Sequence, residues 1–142
     1  MIRPDSLKPG DTVHIVATAR KISREEVEPS VKLLESWGLK VVLGGHLFAA
    51  DDQFAGSDPQ RLEDLQKAID DPDVRAIFCA RGGYGSTRLI DDLSLGGLTK
   101  HPKWLVGYSD ITALHLHFSR HVGIETIHGT MPVNIHKNPD AS

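Results

Sequence analysis

Short apolar runs alternate with amphipathic stretches along most of this chain. The apolar runs predict strands at residues 12–17, 39–43, 74–80, 104–106 and 124–128. Between them, apolar residues recur at helical spacing, as at Leu62, Leu65 and Ile69. Strands that alternate with helices predict an α/β fold: a flavodoxin-like or Rossmann-like open, mostly parallel sheet of about five strands with helices on both faces.

Proline positions suggest where two helices begin. Pro29 interrupts the helical pattern that follows Ser23, so the sequence predicts a short first turn and a helix that restarts near Glu28. Asp58 is predicted to cap the next helix, with Pro59 at its first helical position.

Composition places the chain among globular proteins. It has 142 residues, of which 39% are hydrophobic and 25% charged, enough for one domain with a real core. The net charge of −3 predicts neither a nucleic-acid nor a membrane partner. No secretory pattern opens the sequence, and a single cysteine, Cys79, lies in an apolar run; both features favour a reducing, cytoplasmic location and a buried thiol.

One stretch, Val-Gly-Tyr-Ser-Asp-Ile-Thr at 106–112, joins the fourth strand to a helical pattern. Ser109 therefore sits at a strand-to-helix turn, where a nucleophile can be raised in front of a helix N-terminus. The match to the nucleophile-elbow pattern is incomplete, because Ile111 replaces its second glycine. A helix N-cap is the alternative role for Ser109.

A glycine-rich loop, Arg-Gly-Gly-Tyr-Gly at 81–85, follows the third strand and is expected to face Ser109 across the sheet edge. Its free N–H groups could cradle a phosphate. They could instead share an oxyanion hole with the N–H group of Asp110. The third alternative is a tight turn whose glycines serve packing alone.

Eight histidines raise the question of a metal, but His117 and His121, four apart on a helix, lack the companion ligands of a known metal pattern. We predict no metal and no cofactor. His115 is predicted to point away from the turn, which leaves Ser109 without an obvious base. His128 is the local histidine best placed to approach the strand edge.

The chain resembles the LD-carboxypeptidase family of serine peptidases, which includes muropeptide LD-carboxypeptidases and microcin C immunity peptidases. The resemblance covers nearly the whole chain, and its most specific element is the pairing of Arg-Gly-Gly-Tyr-Gly with Gly-Tyr-Ser-Asp. The matching segments are residues 7–11, 35–39, 62–68, 80–85, 106–112 and 128–129.

The resemblance implies roles for particular residues. Ser109 would be the nucleophile, and the N–H groups of Asp110 and of Gly82 or Gly83 would form the oxyanion hole. Four further residues are expected to form walls of the substrate site: Arg81, Tyr84, Tyr108 and His128. The substrate implied is a cell-wall (murein) tetrapeptide, cleaved before its terminal D-alanine during peptidoglycan recycling.

Family members are roughly twice as long in this resemblance, and a C-terminal domain supplies the Glu and His of their triad. We therefore predict a nucleophile-bearing domain at 1–135 and the start of a linker at 136–142, with the isolated fragment inactive and prone to self-association. Whether the chain is a cut piece or a natural remnant stays open. Three alternatives remain. The first is an immunity-type peptidase acting on aminoacyl-adenylate-like substrates, and the second is a non-catalytic flavodoxin-like module that binds phosphate or nucleotide. The third is a structural remnant that associates with another chain.

Overall fold

A parallel five-stranded sheet forms the centre of the protein. Its strands are β1 (Thr12–Val16), β2 (Lys40–Leu43), β3 (Val74–Cys79), β4 (Trp104–Gly107) and β5 (Ile127–His128). Their order in the sheet is β2-β1-β3-β4-β5, so β3 pairs with β4. The computed structural model describes residues 1–135, and the linker predicted at 136–142 lies outside the described residues. The α/β fold predicted from the alternating pattern is confirmed.

Helices cover both faces of this sheet. The α-helices are α1 (Arg24–Ser36), α2 (Asp58–Asp70), α3 (Gly96–Lys100) and α4 (Thr112–His121), and 3-10 turns occupy Ser86–Asp92, Ser109–Ile111 and Pro132–Asn134. Two core clusters result, one that includes α1 residues and one that includes residues of α2, α3 and α4. Within residues 1–135, no helix is long and apolar enough to cross a membrane.

Both helix starts suggested by the prolines need correction. Helix α1 does not restart near Glu28; it runs continuously through Pro29 from a capping box formed by Ser23 and Glu26. The reciprocal bonds of that box nucleate the first turn, which allows the helix to tolerate the one backbone bond that proline removes. Ser57, not Asp58, caps α2, again through a capping box, and Pro59 lies within the first turn.

One further boundary differs from the sequence prediction. Strand β5 begins at Ile127 rather than at residue 124, because Ile124 is buried in a separate bridge to Ile2. The segment after Gly85 forms the 3-10 turn Ser86–Asp92. Cys79 is fully buried, as predicted, and burial raises the pKa of its thiol to about 12.

Candidate active site

Ser109 occupies a strained turn at the carboxyl end of β4. Tyr108 continues the extended backbone of the strand, and Ser109 then adopts a φ of 61°, in the left-handed region. A side chain in this region places its Cβ close to the backbone, at a cost of about 1–2 kcal/mol. Since Ser109 is also exposed, the turn presents its side chain to solvent at the sheet edge.

The tightness of this turn depends on Gly107. A Cβ added there would lie 2.9 Å from Cγ2 of Ile111, closer than real Cβ contacts allow. From the following helix, the buried His115 donates a hydrogen bond from Nε2 to the Gly107 carbonyl at 2.8 Å. The close approach of Gly107 to Ile111 and the hydrogen bond from His115 hold the end of β4 against the start of α4.

The geometry does not give Ser109 the role of a cap. Ser109 is the first residue of the 3-10 turn, with Tyr108 in the cap position, and neither this turn nor α4 has a side-chain cap. Among the described residues, the Ser109 hydroxyl makes no hydrogen bond. The hydroxyl is therefore available to a substrate or to a base.

The first glycine of the loop after β3 lies directly against this turn. A Cβ on Gly82 would lie 3.3 Å from Cβ of Ser109 and 3.6 Å from the backbone nitrogen of Asp110. Gly83, at φ +113°, instead faces the side chain of Arg20. The absent side chain of Gly82 thus leaves room between the Ser109 side chain and the N–H group that follows it.

The carboxylate of Asp110 ties the turn to the glycine loop. Its Oδ2 accepts a hydrogen bond from the backbone N–H of Ser86 at 3.0 Å. The Ser86 hydroxyl in turn bonds the Thr18 hydroxyl at 2.8 Å, in a buried contact just beyond β1. Asp110 therefore fixes the position of the loop through its side chain, while its own N–H remains beside Ser109.

His115 differs from its predicted orientation. It points back to Gly107 rather than away from the turn, because helical side chains tilt toward the helix N-terminus. Burial lowers the pKa of His115, which favours the neutral ring, and the bond to a carbonyl requires the proton on Nε2. Its ring stacks on His128, with 4.2 Å between centroids. The hydrogen bond of His115 thus supports the backbone of the turn.

A cavity of about 450 Å³ opens beyond the ends of β4 and β5. Tyr108 and His128, two of the predicted wall residues, line it, and the Tyr108 hydroxyl donates a hydrogen bond to Oδ1 of Asn134 at 2.9 Å. The remaining lining residues are Gly129, Thr130 and Asn134. The cavity is large enough for part of a peptide.

Arg81 and Tyr84, the other predicted wall residues, make contacts elsewhere. Arg81 donates to the Lys21 carbonyl at 3.2 Å and pairs with Glu26 at 3.4 Å. Tyr84 is half exposed, with the guanidinium of Arg88 5.3 Å from its ring centroid.

The sequence analysis did not identify two residues that lie at the candidate site. Asn134 hydrogen-bonds Tyr108, and Met131 places its Cε 3.5 Å from a Cβ built on Gly82. Met131 precedes the 3-10 turn after β5 and Asn134 ends it, and neither periodicity nor a motif marks them in the sequence. Within residues 1–135, no group of three or more His, Cys, Asp or Glu side chains is arranged to hold a metal ion.

Relatives of this chain carry carboxypeptidase names. A murein tetrapeptide carboxypeptidase of Pseudomonas aeruginosa is 39% identical over 128 residues, which are 89% of this chain and 41% of the relative. A protein of Bacillus subtilis named "Probable murein peptide carboxypeptidase" is 38% identical over 129 residues, or 91% and 40% of the two chains. The solved structure of an MccF-like protein from Bacillus anthracis superposes with a TM-score of 0.87 at 30% identity, covering 98% of this chain and 43% of that one.

This chain therefore spans about two fifths of the length of these relatives. The family model described as the LD-carboxypeptidase N-terminal domain matches residues 13–129. That match includes all five strands except Thr12 of β1, together with the glycine loop and the turn at Ser109. The chain belongs to the S66 peptidase family of LD-carboxypeptidases, and it corresponds to the N-terminal domain of that family.

Proposed function

We propose that this chain provides the nucleophile-bearing domain of a serine LD-carboxypeptidase that releases the terminal D-alanine of murein tetrapeptides. Ser109 attacks the carbonyl carbon of the scissile bond, and its proton passes to a base. The N–H group of Asp110, with an N–H of the loop at Gly82 and Gly83, stabilises the oxyanion of the tetrahedral intermediate. The proposal also places the enzyme in the cytoplasm, where recycled murein peptides would reach it.

One observation carries this proposal: the left-handed backbone of Ser109, a non-glycine residue, directly opposite Gly82. A strained backbone at an exposed serine persists only where the surrounding contacts enforce it, and such residues cluster at active sites. The likeness to the murein tetrapeptide carboxypeptidase of Pseudomonas aeruginosa supports the choice of substrate.

The base that activates Ser109 belongs, in this proposal, to a further domain. Among the described residues, His115 bonds the Gly107 carbonyl and Asp110 bonds Ser86, so neither is directed to the Ser109 hydroxyl. A C-terminal domain supplying a Glu and a His would complete the triad and cover the sheet edge. Without that cover, exposed apolar groups such as Tyr108 and Ile127, each 40% exposed, favour self-association.

A second candidate is an immunity-type peptidase that acts on aminoacyl-adenylate-like substrates. The MccF-like protein of Bacillus anthracis supports it, because that structure matches 98% of this chain at 30% identity. The substrate walls that would separate the two activities belong, in our proposal, to the further domain. Both activities require Ser109 in the same role.

The proposal is tested by joining residues 1–135 to the C-terminal part of the Pseudomonas aeruginosa relative and measuring D-alanine release from a murein tetrapeptide. We expect release by the fusion and a loss of at least 10³-fold in the Ser109→Ala variant. Ser119→Ala, which alters an exposed serine on α4, is the matched control and should retain full activity. Equal turnover by Ser109→Ala and the parent would disprove the nucleophile role.

The 142-residue chain alone should release no D-alanine and should not react with a serine-directed fluorophosphonate probe. Labelling that disappears in Ser109→Ala would show instead that a base is present within the chain.

A further inference from the structure

Arg20 lies beside the candidate oxyanion site and makes no ion pair with any of the described residues. Its backbone N–H donates to the Gly82 carbonyl at 3.4 Å, which joins the segment after β1 to the glycine loop. The neighbouring arginines are already engaged. Arg81 pairs with Glu26, whereas Arg61 and Arg88 both contact Asp58.

The side chain of Arg20 runs across the glycine loop. A Cβ built on Gly83 would lie 2.4 Å from Cγ of Arg20, 2.5 Å from Cδ and 2.7 Å from Nε. The stem of the arginine thus occupies the space that any other residue at position 83 would fill. Gly82, the preceding residue, faces Ser109. The Nε atom of Arg20 therefore lies beside the loop residue that follows the one facing the nucleophile.

A carboxypeptidase must recognise a negative charge close to its nucleophile. The terminal carboxylate of the substrate is separated from the scissile carbonyl carbon only by the peptide nitrogen and one Cα, about 3–4 Å in all. A guanidinium is well suited to a carboxylate, because its planar N–H groups can form two parallel hydrogen bonds with it.

We propose that Arg20 binds the C-terminal carboxylate of the peptide substrate and so selects for cleavage of the last residue. The inference rests on the proposed function for its substrate class, a peptide with a free terminal carboxylate. It assigns Arg20 a role in specificity, while Ser109 and the oxyanion hole keep their roles in the reaction. Gly83 contributes by leaving space for the arginine stem.

Binding to the 142-residue chain tests this without any need for hydrolysis. The probes are Nα-acetyl-L-lysyl-D-alanine and its C-terminal amide, titrated while chemical shifts of the backbone amides are followed by NMR. We expect the acid to bind about tenfold more tightly than the amide, because a charge-assisted pair is lost in the amide. In Arg20→Gln, the affinity for the acid should fall to that for the amide.

Lys21→Gln is the matched control, since it removes the same charge from the next, also exposed, residue. It should leave both affinities within about twofold, as expected for a surface charge outside the site. Arg20→Lys retains the stem and the charge but not the planar fork, so its preference for the acid should be intermediate. This variant also tests the proposal if the amide spectrum of Arg20→Gln shows loss of folding.

Four results would overturn the role of Arg20. The first two are equal affinity of the parent chain for acid and amide, and an unchanged preference in Arg20→Gln. The others are an equal loss of preference in Lys21→Gln and the absence of binding by both probes. The D-alanine release experiment judges the proposed function separately, because binding of the carboxylate does not depend on a base for Ser109.

Discussion

Ser109 shares its left-handed backbone with only one other non-glycine residue among those described, Asp52 at φ 55°. The two residues differ in their surroundings. Asp52 lies in an exposed loop, and aspartate tolerates this region better than most residues. Ser109 instead lies in the short turn between β4 and α4, where the close approach of Gly107 to Ile111 leaves the backbone little freedom. The strain at Ser109 is therefore imposed by packing on both sides.

Replacement of Ser109 by glycine should stabilise the fold, and it should abolish D-alanine release by the fusion protein. Glycine removes the steric cost of φ 61°, offset in part by the greater entropy of the unfolded chain, for a net gain of about 1 kcal/mol in the free energy of unfolding. Urea denaturation of the 142-residue chain measures this change. Ser109→Ala keeps the Cβ and should change stability by less than about 0.5 kcal/mol.

Asp52→Gly is the matched control for the release of backbone strain. It should increase the free energy of unfolding by less than Ser109→Gly does, and it should leave D-alanine release by the fusion protein unchanged. If Ser109→Gly is instead clearly destabilising, the Ser109 side chain contributes to folding, and the interpretation of its backbone as functional strain fails.

At the scale of elements, Lys103 closes the C-terminus of α2. Its ammonium group donates to the carbonyls of Ala68, Ile69 and Asp71 at 2.9, 2.8 and 2.7 Å. Only 1% of the residue is exposed, and this burial lowers the pKa of Lys103 to about 8. At neutral pH the side chain remains mainly protonated, and it satisfies helix carbonyls that have no partner within the helix.

Lys103→Met should therefore destabilise the protein, although methionine is the more hydrophobic side chain. Loss of the donor leaves three carbonyls without this partner, and we expect a decrease of about 2–4 kcal/mol in the free energy of unfolding. Lys100→Met, an exposed substitution on α3, should change it by less than about 0.5 kcal/mol. Equal effects of the two substitutions in urea denaturation would contradict the capping role of Lys103.

Elements with strong local signals were predictable from sequence. The apolar run of β3 and the stripe of α2 were identified close to their observed bounds, because burial of those residues dictates their periodicity. Helix α1 was misread at Pro29, since the capping box at Ser23 overrides the local preference of proline. The role of Lys103 depends on contacts with residues more than thirty positions away, which local patterns do not encode.

The candidate site was predictable in part for the same reason. The turn at Ser109 and the glycine loop carry compact motifs, and parallel topology predicts that they meet at one edge of the sheet. The bond from Ser86 to Asp110 and the packing of Arg20 on Gly83 join segments that are 24 and 63 residues apart. These contacts depend on the register of β1, β3 and β4, which the sequence pattern leaves undetermined.

At the scale of the whole molecule, three histidines link stability to pH. Burial lowers the pKa of His14, His115 and His117, so the unfolded chain binds protons more readily than the folded one at these positions. Their contribution to stability is complete above the unfolded pKa of about 6.5 and is lost as the pH falls below it. Burial raises the pKa of Asp64, which has the opposite effect on stability. Its contribution is complete below the unfolded pKa of about 3.9 and is lost as the pH rises.

The free energy of unfolding should therefore decrease as the pH is lowered from about 7.5 to 5.5. His115→Gln can still donate a hydrogen bond to the Gly107 carbonyl but cannot take up a proton, so it should reduce this decrease. Urea denaturation at several pH values measures the effect, with His101→Gln as the control for loss of a histidine outside this set. If His115→Gln leaves the slope of the free energy of unfolding against pH unchanged, His115 does not contribute to the pH dependence.

The strand order has a consequence for where the site had to form. The connection after β1 leads to α1 on one face of the sheet, whereas the chain after β3 leads to the opposite face. Neighbouring strands whose connections diverge in this way leave a crevice at their carboxyl ends, the topological switch point of an open α/β sheet. Arg20 enters that crevice from β1, and Gly82 and Gly83 enter it from β3. The strand order thus creates the crevice. Substitutions at the edge of the crevice can change which ligand binds without altering the sheet.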